Sequence, residues 1–127
     1  MSSQPIATPT AIPELERLWQ AAPGLKGVML CTVRGEVLSL VGDMADAMSK
    51  MASFAIGLFE LGARAGQESG CGDARSLLLD CAHGALFLID VDADRLLFAL
   101  AQDGVPQGSL LHDLTWCART LRAKEAA

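Results

Sequence analysis

The chain has 127 residues, 51% of them apolar and 20% charged, with a formal net charge of −5. That balance excludes an intrinsically disordered protein, which would be poorer in aliphatic residues and richer in charge. It also excludes a generic nucleic-acid binder, because an acidic surface repels phosphate backbones. No uncharged apolar run approaches the roughly 18 residues needed to span a membrane.

The first dozen residues, MSSQPIATPTAI, hold Pro5 and Pro9 among Ser, Thr and Ala. Spaced prolines interrupt helices and favour extended backbone, so residues 1–12 are expected to form a flexible tail. They lack the basic-then-apolar pattern of an export signal, which favours a cytoplasmic protein. The four cysteines, Cys31, Cys71, Cys81 and Cys117, are widely spaced and are read as free thiols. One domain is expected over residues 13–124.

Pro13 suits the first turn of a helix, and Leu15, Leu18 and Trp19 give that helix a short apolar face. Pro23-Gly24 ends it. Two strands are predicted at about 27–33 and 36–41, joined by a hairpin turn at Arg34-Gly35.

Asp43, a good N-cap residue, is expected to open a long helix reaching Arg64 or Ala65. Asp46, Lys50, Ser53, Gly57, Glu60 and Arg64 recur at spacings of 4, 3, 4, 3 and 4, which makes one narrow polar stripe. Asp46 with Lys50 and Glu60 with Arg64 have the spacing of favourable ion pairs. Nearly every other position is apolar or small. Covering one sheet takes an arc of about 100°, and this helix offers roughly twice that. Its surplus face is expected to meet a second copy of the chain, since two-fold dimers are the commonest oligomers. The alternative is that the wide face packs within a monomer.

Gly66–Asp73 is rich in glycine and is predicted to be a flexible loop. Strands are predicted at Arg75–Cys81, Ala85–Asp90 and Arg95–Ala101, with a turn at His83-Gly84 and another at Asp92–Asp94. Asp103-Gly104-Val105-Pro106 breaks the pattern. Ser109 is expected to cap a last helix with Leu110, Leu114, Cys117, Ala118 and Leu121 on its apolar face. The resulting fold is α+β: five antiparallel strands flanked by helices in the order α-β-β-α-β-β-β-α.

Two blocks of this pattern resemble the Roadblock family, named for dynein light chains of that type. The first is PGLKGVMLCTVRGEVLSLVGD, Pro23–Asp43, with its glycine, strand, hairpin glycine, second strand and entry to the long helix. The second is ARSLLLDCAHGALFLIDVDADRLLFALA, Ala74–Ala101. The likeness spans about residues 12–122. It implies a profilin-like architecture and dimers that pair their long helices and join sheets through the strand Arg75–Cys81. The dimer interface so expected holds Met51, Phe54, Ala55, Leu58, Leu61, Gly62, Leu77 and Leu79. Bacterial members resemble regulators of small Ras-like GTPases, and other relatives scaffold GTPases or motors. Gln102–Gly108 departs from the family pattern, so the contacts of the last helix are not implied. The family has no shared catalytic residues.

The chemistry-bearing residues form no catalytic or metal template. Asp90, Asp92 and Asp94 start like a calcium loop, but Arg95 and Ala101 stand where Gly and Glu are required. Cys81 and His83 lie two apart, with no paired-cysteine spacing for zinc. Gly72 is followed by Asp73 and Ala74, not by the Lys-Ser/Thr of a phosphate loop. No GxSxG surrounds a serine. Neither a cofactor nor a catalytic role is therefore expected. The leading reading is a non-catalytic dimeric adaptor for a small GTPase, with Asp46, Lys50, Ser53, Glu60 and Arg64 as candidate partner contacts or, equally, a solvated face. The alternative is a small-ligand sensor, for which Thr32, Ser39, Ser76 and Asp80 are the few polar groups the strands supply.

Overall fold

The computed structural model describes residues 12–43 and 45–126; the expected tail, but for Ile12, lies outside them. Three helices and five strands follow in the expected order: α1 (Pro13–Ala21), β1 (Leu25–Thr32), β2 (Val37–Gly42), α2 (Ala45–Glu68), β3 (Ser76–Cys81), β4 (Gly84–Asp90), β5 (Arg95–Ala101) and α3 (Gln107–Ala126). The strands form one antiparallel sheet in the order β2-β1-β5-β4-β3. β1 and β5, from opposite ends of the domain, pair at the centre. β2 and β3 are the two edges.

The sheet carries a core on each face. On one face Leu15 and Leu18 of α1 and Leu110, Leu114 and Leu121 of α3 cover Val28, Phe87, Ile89 and Leu97. On the other face Met48, Ala52, Ala55 and Ile56 of α2 cover Met29, Cys31, Leu88, Leu96 and Phe98. Alternation along each strand separates the two sets. The near-continuous apolar runs of β1, β4 and β5 follow from burial on both faces.

Several boundaries differ from expectation, each for a local reason. α2 starts at Ala45, not Asp43, and runs a turn further, to Glu68. Gly66 is no helix stop: a Cβ there would lie 2.7 Å from the Gly72 carbonyl oxygen, so the residue is small because the chain folds back onto it. The Gly66 carbonyl accepts from the Cys71 and Gly72 N–H groups, and Gly70 turns the chain at φ +79°. The predicted loop is thus half helix and half glycine turn. α3 starts at Gln107, directly after Pro106, whose fixed φ and carbonyl launch the first turn. Ser109 lies inside that turn and is exposed, so it is not the cap. β1 begins two residues before its predicted start, and β2 ends one residue later than predicted.

Side-chain ties lock the helices of the α1/α3 face. Lys124 near the end of α3 binds the Glu14 carboxylate in the first turn of α1. This hydrogen bond is the main cause that holds the Glu14 carboxyl below its ordinary range. Ile12 N–H donates to the buried Ser39 Oγ at 2.9 Å, which fixes the start of α1 over β2.

Candidate interaction site

β3 is bonded to β4 on one side only, and five of its six residues are exposed. Its open flank therefore presents unpaired backbone donors and acceptors. α2 crosses the sheet face from β2 towards this edge, since it touches β2, β1 and β3. Leu77 reaches the helix where Gly62 leaves room, with its Cδ1 3.4 Å from the place of a Cβ on Gly62.

Not all of the apolar arc of α2 is spent on the core. Ala55 is 4% exposed and packs within its own chain. Met51, Leu58 and Leu77 are half-buried at the margin of that core. Phe54 and Leu61, seven residues apart and so on one side of the helix, are 77% and 64% exposed. Leu79 on β3 is 44% exposed. A row of apolar side chains thus runs along α2 beside the open strand. Large apolar groups this exposed, next to an unpaired sheet edge, are uncommon on a monomer that stays alone.

The polar stripe lies along the neighbouring arc of α2, and Asp46, Lys50, Ser53, Gly57, Glu60 and Arg64 are all exposed. The expected ion pairs do not form: Asp46, Lys50, Glu60 and Arg64 have no partner within 4 Å among the described residues. Exposed pairs on a helix gain little against the entropy of two long side chains, so these groups remain solvated. They are a free charged face, of mixed sign.

The remaining candidates have local roles. Asp92 binds the Arg95 guanidinium at 2.7 Å and accepts the Asp94 N–H at 3.0 Å, which builds the β4–β5 turn. The hydrogen bond from Arg95 is the main cause that lowers the Asp92 carboxyl. Burial raises the Asp90 carboxyl, with Arg122 pulling it back down. No group of three potential ligands that could hold a metal is found among the described residues. The Cys81 thiol donates to the Leu79 carbonyl at 3.9 Å, and no hydrogen bond joins it to His83 among the described residues. All four cysteines are free. Of the polar strand residues, Thr32 Oγ1 accepts the Arg34 and Glu36 N–H groups, Ser39 holds α1, and Asp80 accepts from Gln107. They do not converge on one cavity.

Sequence reasoning gives Trp116 and Arg75 no functional role, and reads Arg119 only as a positive charge that complements the dipole of the last helix. Trp116 is 66% exposed on α3, two positions past Leu114 and so off the helix's buried phase. That phase offset was a readable signal. The juxtaposition of Arg75 with Arg119 was not, because it depends on where α3 lands.

Comparison with known proteins bears on this geometry. The family model described as Roadblock/LC7 domain matches residues 12–101, well over half of the chain. No curated protein sequence matches it. Among solved structures, a Roadblock/LC7 domain from Streptomyces avermitilis superposes with a TM-score of 0.83 at 24% identity, covering 93% of this chain and 100% of that one. Myxococcus xanthus MglB gives 0.79 at 16% identity, covering 89% and 85%. An MglB described in a tetrameric arrangement gives 0.75 at 14% identity, covering 97% and 99%. At these identities the structural likeness is one of fold. No helix among the described residues is long and apolar enough to cross a membrane.

Proposed function

The chain belongs to the Roadblock/LC7 domain family, and from that premise we propose that it is a dimeric adaptor that binds and regulates, or scaffolds, a small Ras-like GTPase. Members of this family are in general non-catalytic adaptors, and this chain fits that role. The observation that carries the reading is the open β3 edge beside the exposed Phe54 and Leu61 of α2. Two copies joined antiparallel at β3 would pair the unpaired backbone of both edges. The same pairing would bring the two α2 helices alongside and cover Met51, Phe54, Leu58, Leu61 and Leu79. Leu77 and Gly62 would lie at the margin, and Ala55 beneath it in each protomer's own core.

The regulatory mechanism is geometric. A GTPase seated on the paired helices would meet the stripe Asp46, Lys50, Ser53, Glu60 and Arg64 from each copy. If its switch segments fit that platform better in one nucleotide state, binding shifts the population towards that state by linkage. This mechanism calls for no cofactor or metal, and the free thiols suit a reducing cytoplasm. The ligand-sensor alternative is less well supported, because Thr32, Ser39 and Asp80 are already committed to local hydrogen bonds.

Light scattering tests the assembly: the wild-type chain should weigh twice its 13.4 kDa, and Phe54→Asp with Leu61→Asp should weigh one chain while melting as before. Both side chains are exposed, so the double variant isolates association from folding. A wild-type mass of one chain would defeat the dimer. Affinity capture with this protein as bait, in GDP or a non-hydrolysable GTP analogue, tests the partner. A small GTPase held in one nucleotide state supports the regulator. Its absence in both states, with folded bait, defeats it.

A further inference from the structure

The α1/α3 face of the sheet is left uncovered at β3. α3 packs on β4, and the β3 residues directed to its side, Ser76, Leu78 and Asp80, stay exposed. Leu78 is 38% exposed although its cross-strand partner Phe87 is fully buried. A trough therefore runs between α3 and β3. One part, of about 540 Å³, is lined by Arg75, Arg119 and Arg122 among others. It continues onto the outer surface of α3 in a second part of about 300 Å³, lined by α3 residues alone, Leu111 and Trp116 among them, which shares Thr115 and Arg119 with the first. Within the first part, Arg122 faces the Asp90 carboxylate at 3.8 Å.

The charges along it are unequal in commitment. Both carboxylates that line the first part are engaged: Asp73 by Gln67 at 2.7 Å, and Asp90 by Arg122 at 3.8 Å. Arg122 is also tied to the Val91 carbonyl. The side chains of Arg75 and Arg119 have no hydrogen bond or ion pair among the described residues. Arg75 is rooted firmly, because its carbonyl accepts the Asp90 N–H at 2.9 Å. Two free guanidiniums line the first part, and Arg119 shares the second with an exposed indole, on a chain whose net charge is −5.

We propose that this trough is a docking site for an acidic, amphipathic segment of a partner protein. Its carboxylates would meet Arg75 and Arg119, each capable of a bidentate pair, and its apolar side chains would cover Leu111 and Trp116. A polyphosphate fits less well. The engaged carboxylates in the walls repel a dense negative charge but tolerate spaced single ones, and the apolar half of the trough requires an apolar anchor. The site is built within one chain on the face opposite α2, so it does not rest on the dimer or on the GTPase.

The test is fluorescence anisotropy of the full chain with a labelled peptide, acetyl-Glu-Glu-Leu-Glu-Glu-Phe-Leu-Glu-Glu-amide, at low salt. Binding is expected, and it should weaken by about tenfold or more in Arg75→Gln or Arg119→Gln, as for loss of a charge-assisted hydrogen bond. Trp116→Ala should weaken it several-fold, and Arg34→Gln, exposed in the β1–β2 turn, should leave it unchanged. Peptides with Gln for Glu, or Ala for Leu and Phe, should bind poorly. Absence of binding would overturn the proposal, as would binding that persists in both arginine variants. Equal affinity for the Gln peptide would make the surface merely apolar, and full displacement by millimolar inorganic phosphate would make it a small-anion site; either result overturns it.

Discussion

Gly62 of α2 and Leu77 of β3 meet across the edge of the sheet, with 3.4 Å between the leucine Cδ1 and the site of a glycine Cβ. That spacing admits a methyl group. The three glycines of α2 are therefore not equivalent. Gly57 has open space around it, Gly62 has ordinary contact distance, and Gly66 has the Gly72 carbonyl oxygen at 2.7 Å. Alanine inside a helix is favoured over glycine by about 1 kcal/mol. Gly57→Ala should thus raise the melting temperature by about 3–6 °C in a domain of this size. Gly62→Ala should raise it by less, and Gly66→Ala should lower it. Thermal denaturation of the three variants checks the order, and a stabilising Gly66→Ala would contradict the close approach.

Gly42 closes β2 at φ +133°, opposite Gly27. A Cβ at position 42 would press on the Gly27 backbone and lie 2.6 Å from the Lys26 carbonyl oxygen. Neither atom is the end of a flexible side chain. Gly42→Ala should cost about 2–4 kcal/mol, from a strained φ together with an overpacked contact. Urea unfolding should show a lower midpoint with an unchanged slope. Gly35→Ala is the control: its φ is also positive, at +97°, but nothing lies within 4 Å.

The strands were legible because their signals are local. Arg95–Ala101 is an apolar run closed by an acidic turn before it and by Asp103-Gly104 after it, and β5 has those ends. The long helix was legible from its stripe, which is exposed throughout. Its end was not, because Gly66 reads as a stop unless the return of Gly72 is known. Ser109 looked like a cap by residue type, yet Pro106 had already set the helix in motion. The division of α2 into core and surplus was only half legible. Ala55 and Phe54 are adjacent in sequence, but one is buried and the other lies almost wholly outside, according to how the helix is rolled on the sheet. The arginine trough was illegible for the same kind of reason: it joins β3 to α3 through a long-range packing choice.

Acid should weaken the domain through two carboxylates. Glu14 and Asp92 both titrate below their ordinary values of 4.5 and 3.8, through hydrogen bonds from Lys124 and Arg95 respectively. A depressed folded-state value means that the unfolded chain binds the proton more tightly. The stabilisation is therefore fully present above the ordinary values, and it fades as the pH falls through the lowered ones. Lys124→Met should remove the Glu14 share. The variant should be less stable at pH 7, and the difference from wild type should shrink as the pH falls below the ordinary carboxylate value of 4.5 and through the lowered one. Urea midpoints across pH measure this, and a constant difference would assign Lys124 a purely packing role.

The thiols provide a last and independent reading of the fold and of its assembly. Burial pushes Cys31 and Cys117 up to about 11, and both are shielded in the two cores. Only the thiolate attacks a disulfide reagent, so at pH 8 these two are both uncharged and out of reach. Cys71 and Cys81 are exposed. A native chain should titrate two thiols quickly with an aromatic disulfide reagent, and all four after denaturation. Cys81 ends the open strand β3, whereas Cys71 lies in the glycine turn. Assembly through β3 should therefore slow Cys81 and spare Cys71 at high protein concentration. In Phe54→Asp with Leu61→Asp, the two should react alike. Equal rates in the assembled wild-type protein would place the dimer contact away from β3 while leaving the fold intact.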